Sequence, residues 1–393
     1  MRIKARNSPR GLFLREPPEG SGPLYRNLIH PRRPVEVAAR QRCEEMWRLF
    51  QPLADPNFLD RLPFEFHQRW FEMYLGAALK SAGLDVSAPT PGRGPDFEIR
   101  ADGRRVYVEA VCATAGDPLH EDAVPDPIYR DAEGNAVCAQ VPQDRITLRL
   151  AHSVRAKLNA FDRYRGAGLV RPDDACVIAV NLREIPHAWA DAKEFFFRAV
   201  YGVGNQYMVI DPEARKIVAT GREHRALLTR AGGAAEEVAP MLDPNHEDVC
   251  AVLGSSADAW NMREPFGDDF VLMPHASARA PLPRGMIRRG SELSPCAGEE
   301  SGTWTVDETD YGAPVPRGPE PFVVTHEGTQ FEGEWEISGR ELQVRMAGHG
   351  SALVFRGAGD PADAAREIAI EMLRVYGAAR CSRAARSQGD LQA

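Results

Sequence analysis

An α/β domain followed by a small α+β domain is the architecture that the 393-residue sequence predicts, and three observations predict it. A helix-length apolar face over 64–80 is followed by three short strand-like segments. A second long helical pattern then leads into Cys176–Asn181, a nearly continuous run of β-branched and small apolar residues typical of a buried strand. Finally, a stretch dense in Pro, Gly and Ser over 281–321 separates this pattern from one of alternating strands and tight turns.

The elements follow in order. Residues 1–35 read as an irregular basic leader, with no sustained period. Met1 to Arg42 carries ten Lys and Arg against three Glu, which suits a solvated tail or, more sharply, an arm along a phosphate backbone. The α/β domain spans 36–285 and opens with a helix from Val35 to Phe50. Pro63 then suits the first turn of a helix over Phe64–Lys80, and Gly83 suits its end. Strands are expected at Asp85–Ser87, Asp96–Arg100 and Arg105–Cys112, the last two joined by a turn at Ala101–Arg104. A loop over Thr114–Gln143 leads to a helix from Asp144, as N-cap, to Tyr164. Beyond the strand at 176–181, a helix near Ala188–Tyr201 and strands at Tyr207–Ile210, Lys216–Thr220, Val249–Leu253 and Phe270–Met273 are expected. A linker occupies 286–320, and the domain at 321–393 is an antiparallel meander with a helix over Pro361–Gly377.

Composition narrows the function classes. Net charge is -8 and the apolar runs are short, so neither a nucleic-acid coat nor a membrane-spanning protein is expected, and the chain is placed in the cytoplasm. Seven cysteines show no CxxC pair, arguing against a zinc site or a disulfide framework. The glycines at 202 and 204 lack a dinucleotide-binding context, and Gly254-Ser255-Ser256 lacks a nucleophile elbow.

Acidic residues in apolar surroundings carry the chemistry. In Val106–Cys112, alternation puts Tyr107, Glu109 and Val111 on one face, so Glu109 is an acid within a strand that is otherwise apolar; it calls for a cation. Asp96 opens the preceding strand, and the hairpin brings it beside Glu109. Glu72 lies on the preceding helix among Trp70, Phe71, Met73 and Tyr74, on a face shared with Glu65 and Gln68. On the helix after the loop, Lys157 falls within the inward arc of Ile146, Leu150, Val154, Phe161 and Tyr164, where it either snorkels or reaches an acid. Arg149 and Ser153 border the same side and Gln140 or Gln143 lies just before the helix, so polar groups gather where a substrate phosphate could bind.

The order helix with Glu, Gly94-Pro95-Asp96-Phe97 opening a strand, hairpin into Val108-Glu109-Ala110-Val111, helix, strand resembles the αβββαβ core of the PD-(D/E)XK nuclease superfamily, the restriction-endonuclease-like fold, over about 64–181. The resemblance implies that Glu72, Asp96 and Glu109 bind Mg²⁺ or Mn²⁺. It also implies a metal-dependent endonuclease acting on DNA, in defence or repair, with a homodimer left open. Val111 stands where the family has lysine. Two readings follow. Lys157 replaces that lysine in an active enzyme, or the chain is an inactive module of the same fold that binds nucleic acid or protein.

Overall fold

The structure is a computed structural model. It describes residues 11–13, 16–88, 94–101, 103–130, 136–138, 140–283, 285–287, 289–297, 304–311, 317–326, 329–338, 341–346, 350–355, 366 and 368–370. The chain divides into two compact units, Met1–Thr309 and Asp310–Ala393.

The first unit begins with helices α1 (Pro23–Ile29), α2 (Pro34–Phe50), the single turn α3 (Phe58–Arg61) and α4 (Phe66–Ser81). Strands β1 (Asp85–Ser87), β2 (Phe97–Ala101) and β3 (Arg104–Thr114) follow. The short hairpin of β4 (Ile128–Arg130) and β5 (Ala136–Cys138) precedes α5 (Gln143–Gly166), β6 (Ala175–Glu184) and α6 (Ala192–Tyr201). A ribbon of β7 (Val203–Asp211) and β8 (Lys216–His224) comes next, then a hairpin of β9 (Leu227–Thr229) and β10 (Ala235–Glu237). Strands β11 (Ala251–Ser255), β12 (Val271–Pro274), β13 (Ser291–Ala297) and β14 (Trp304–Asp310) end the series.

Eight of these strands form one mixed sheet in the order β1-β2-β3-β6-β11-β12-β13-β14. The first three pair antiparallel; β3, β6 and β11 run parallel; β12 is antiparallel to β11 and parallel to β13. Strand alternation sorts the core into two layers. Val106, Val108, Ala110, Val177, Ala179 and Leu253 face α2 and α4, whereas Tyr107, Cys176, Ile178, Val180 and Val252 face α5 and α6. Both faces are covered, which is why the parallel strands read as unbroken apolar runs.

Local chemistry fixes the helices that matter for the site. Glu36 accepts the free backbone N–H groups of Arg32 and Arg33 at 2.7 and 3.0 Å and so caps α2. Gly76 lets α4 lie close against its neighbours, since a Cβ there would stand 2.6 Å from Phe50 and 3.1 Å from Phe97. Gly83, at φ +80°, ends the helix as expected.

Several expectations are corrected. The leader is not irregular throughout: α1 falls within it, and Tyr25, Leu28 and Ile29 are buried. Among the described residues near it, Arg26, Arg40 and Arg42 donate to the carbonyls of Ser21, Ile29 and Met262; the basic residues at 2, 4, 6, 10 and 15 lie outside the described residues. The segment 286–320 holds β13 and β14, two strands of the large sheet, in place of a linker. The expected loop 114–143 contains the β4–β5 hairpin. Pro142 is the N-cap of α5, and Asp144 lies in its first turn, paired with Arg225 at 2.9 Å.

The second unit is described by itself. Strands β15 (Arg317–His326), β16 (Thr329–Ser338), β17 (Glu341–Met346) and β18 (Gly350–Phe355) form an antiparallel meander. Trp335 and Val344, opposite one another on β16 and β17, are buried. The helix expected over Pro361–Gly377 falls outside the described residues except at 366 and 368–370, which are helical.

Candidate functional site

The site arises where β2 parts from β3. Their ladder begins with Phe97 opposite Val108, so one step further out Asp96 comes beside Glu109, whose side chain meets Lys157 of α5. Pro95 has no N–H and does not extend the ladder. Beyond that point side chains take over the edge of β3. The Ala110 N–H donates to Asp96 Oδ2 at 2.7 Å, and the Cys112 N–H donates to Gln68 Oε1 at 2.9 Å. Gln68 thereby fastens the start of α4 to the strand that carries Glu109.

The sheet and α5 enclose Glu109, which is 6% exposed. Its Oε1 accepts from Lys157 Nζ at 2.8 Å and from the Tyr164 hydroxyl at 3.3 Å. Its Oε2 is buried and accepts no hydrogen bond. A buried carboxylate oxygen without a donor is costly, and this one invites a cation. Asp96 is half-buried, and its carboxyl pKa is pushed up to about 8, first by desolvation and then by the charges of Glu109 and Glu72. Burial likewise raises the Tyr164 hydroxyl, with Glu109 next to it adding to the effect.

Glu72 is 7% exposed, and both its oxygens are engaged. Arg69 donates to Oε2 at 2.7 Å and Gln68 to Oε1 at 3.1 Å. Arg69 also reaches Glu65 at 3.1 Å and Asp55 at 3.6 Å. Desolvation still wins over Arg69, and the Glu72 carboxyl is raised from its ordinary value.

Of the residues expected in the site, Asp96, Glu109 and Lys157 come together, and Glu72 is near enough for its charge to act on Asp96. Three others do not join them. Arg149 lies two turns back along α5, about 12 Å by helical rise, and donates to the Thr114 carbonyl at 2.9 Å. The buried hydroxyl of Ser153 is spent on the Arg149 carbonyl at 3.1 Å, the usual i−4 bond of a helical serine. Gln140 is exposed just ahead of α5. Sequence reasoning had Gln68 and Tyr164 on the correct faces without assigning them a role, and passed over Arg69. A cavity of about 410 Å³ lined by Ala151, Arg155 and Leu158 belongs to the opposite side of α5.

Among the described residues no group of three or more His, Cys, Asp or Glu side chains is arranged to hold a metal ion. What could take a divalent cation is the pair Asp96 and Glu109: one carboxyl whose pKa is raised first by burial and then by its neighbours' charge, the other with a bare buried oxygen. Glu72, tied to Arg69 and Gln68, supplies charge nearby. No helix among the described residues is long and apolar enough to cross a membrane. No family model, curated protein or solved structure matches the chain.

Proposed function

We propose that this chain is a metal-dependent phosphodiesterase of the PD-(D/E)XK type acting on DNA. The observation that carries the reading is the Glu109 carboxylate, buried beside Asp96, with Lys157 on one oxygen and nothing on the other. The chain order α4-β1-β2-β3-α5-β6, with β1 to β3 antiparallel and β6 parallel to β3, supports a restriction-endonuclease-like core.

In this reading Asp96 and Glu109 would hold Mg²⁺ or Mn²⁺, with Glu72 adding negative charge alongside. Such an ion, when bound, supplies Lewis acidity to a phosphoryl oxygen and lowers the pKa of a bound water. Lys157 takes the place that Val111 vacates: its ammonium is held beside Glu109 from α5 and meets charge developing on the phosphate without needing to reorganise. Tyr164 and Lys157 together hold Oε1, which leaves Oε2 without a donor. Gln68 keeps α4 docked on β3 and thereby keeps Glu72 in range.

Labelled single- and double-stranded DNA incubated with Mg²⁺ or Mn²⁺ tests the proposal. The wild type is expected to cut; Glu109→Ala and Lys157→Ala are expected to lose cutting while remaining folded. A wild type that cuts no substrate and takes up no metal by calorimetry overturns the enzyme and leaves the non-catalytic module.

A further inference from the structure

The β7–β8 ribbon departs from the rest of the first unit. Its two strands pair only with each other, in a two-stranded sheet. The root is held firmly: Val203 is buried, and Arg222 grips Glu194 with two bonds of 2.5 Å. Gly221 lets the Tyr207 ring cross the ribbon, since a Cβ there would stand 2.7 Å from its hydroxyl oxygen. Beyond the root the ribbon is solvated on both faces. Met208, Val209, Ile210, Ile217 and Val218 are 61, 46, 58, 58 and 60% exposed. Met208 pairs with Thr220, Val209 with Ala219 and Ile210 with Ile217, and a register shift leaves Val218 as the extra residue of a bulge. Successive residues point to opposite faces, so neither face is a polar exterior.

A two-stranded ribbon of this kind is marginal in water, and contiguous exposed apolar side chains mark a contact surface. Charge selects the occupant. The turn from Asp211 to Lys216 reads Asp-Pro-Glu-Ala-Arg-Lys, two acids and then two bases, with no formal net charge. A neutral tip suits neither a polyanion nor an anionic lipid surface. It complements itself, because a two-fold axis lays the acids of one tip beside the bases of the other. Residues 205–220 alone amount to sixteen, a large part of the roughly 20–30 residues per side of a stable interface. We infer that the β7–β8 ribbon is a dimerisation arm, crossed with the same ribbon of a second copy of this chain.

Sedimentation equilibrium of the full chain tests this independently of any catalytic role. Wild type is expected at twice 43.4 kDa at micromolar concentration. Ile210→Asp with Val218→Asp is expected to weaken self-association by about thirtyfold or more while the thermal transition of the body is kept. Arg215→Glu with Lys216→Glu should also separate into monomers, and mixing it with Asp211→Lys, Glu213→Lys protein should restore a dimer of the two variants. A monomeric wild type overturns the inference, as does a double-Asp variant that remains dimeric. So does a monomer that binds anionic vesicles or DNA through the ribbon, since the occupant is then of another class.

Discussion

Two carboxylates in the first unit, the half-buried Asp269 and the buried Glu109, are treated very differently by their surroundings. Asp269 receives the Tyr74 hydroxyl at 2.5 Å on one oxygen. Its other oxygen takes the Ser255 hydroxyl at 2.6 Å and the N–H groups of Ser256 and Ala257 at 3.0 Å. Every lone pair that faces the protein has a donor, and the loop after β11 is bound to α4 as a result. Glu109 has both of its donors on one oxygen and none on the other. Burial of an acid is therefore no sign of a site; what distinguishes Glu109 is that its donors leave one oxygen bare.

The contrast is tested most strongly by removing each acid. Asp269→Ala strands four donors and is expected to cost on the order of 3 kcal/mol in urea unfolding. Glu109→Gln is expected to leave stability within about 1 kcal/mol, since one oxygen already lacks a partner, while cleavage falls by about a hundredfold or more. Equal stability losses would remove the distinction.

Lys157 comes next. Lys157→Met leaves Glu109 with Tyr164 alone on Oε1, and a loss of about 1–3 kcal/mol at pH 8 is expected because the lysine is partly exposed and the acid is not. Glu109→Gln in the same chain should recover most of that loss, and a double-mutant cycle that finds the two changes additive would refute the coupling.

Proton linkage gives an effect with a definite sign. The Asp96 carboxyl is raised in the folded state to about 8, above its ordinary value of 3.8, so the folded chain binds more protons between those two values. Stability without divalent metal should fall as pH rises through that window. Melting temperatures measured in chelator from pH 5 to pH 8 should decline by several degrees, Asp96→Asn should flatten the decline, and Mg²⁺ should raise the values at the alkaline end. The smallest change expected is from Tyr164→Phe, which removes one 3.3 Å bond to Glu109. It should cost about 0.5–1.5 kcal/mol or less in unfolding assays.

Much of the first unit was legible because its signals are periodic. Alternation in β3 placed Glu109 on the α5 side, and the wheel of α5 placed Lys157 toward the sheet; both placements depend on backbone geometry alone. Partners from other elements were not legible. Arg69 and Gln68 stand three and four residues before Glu72, a spacing that makes them its helical neighbours, but nothing in that spacing shows that Gln68 also takes the Cys112 N–H of β3. Composition misled over 286–320, where Pro and Gly density hid β13 and the edge strand β14. It also outweighed Pro23, a fair first-turn signal for α1.

The order of the large sheet is the order of its strands along the chain, with only the separate hairpins left out. Each strand therefore lands on an open edge, and none has to be threaded between two already in place. A chain emerging from the ribosome can lay this sheet down from one side, and the pocket of acids belongs to its earliest part. Until α5 emerges, Glu109 has no ammonium beside it; Lys157 follows some fifty residues later.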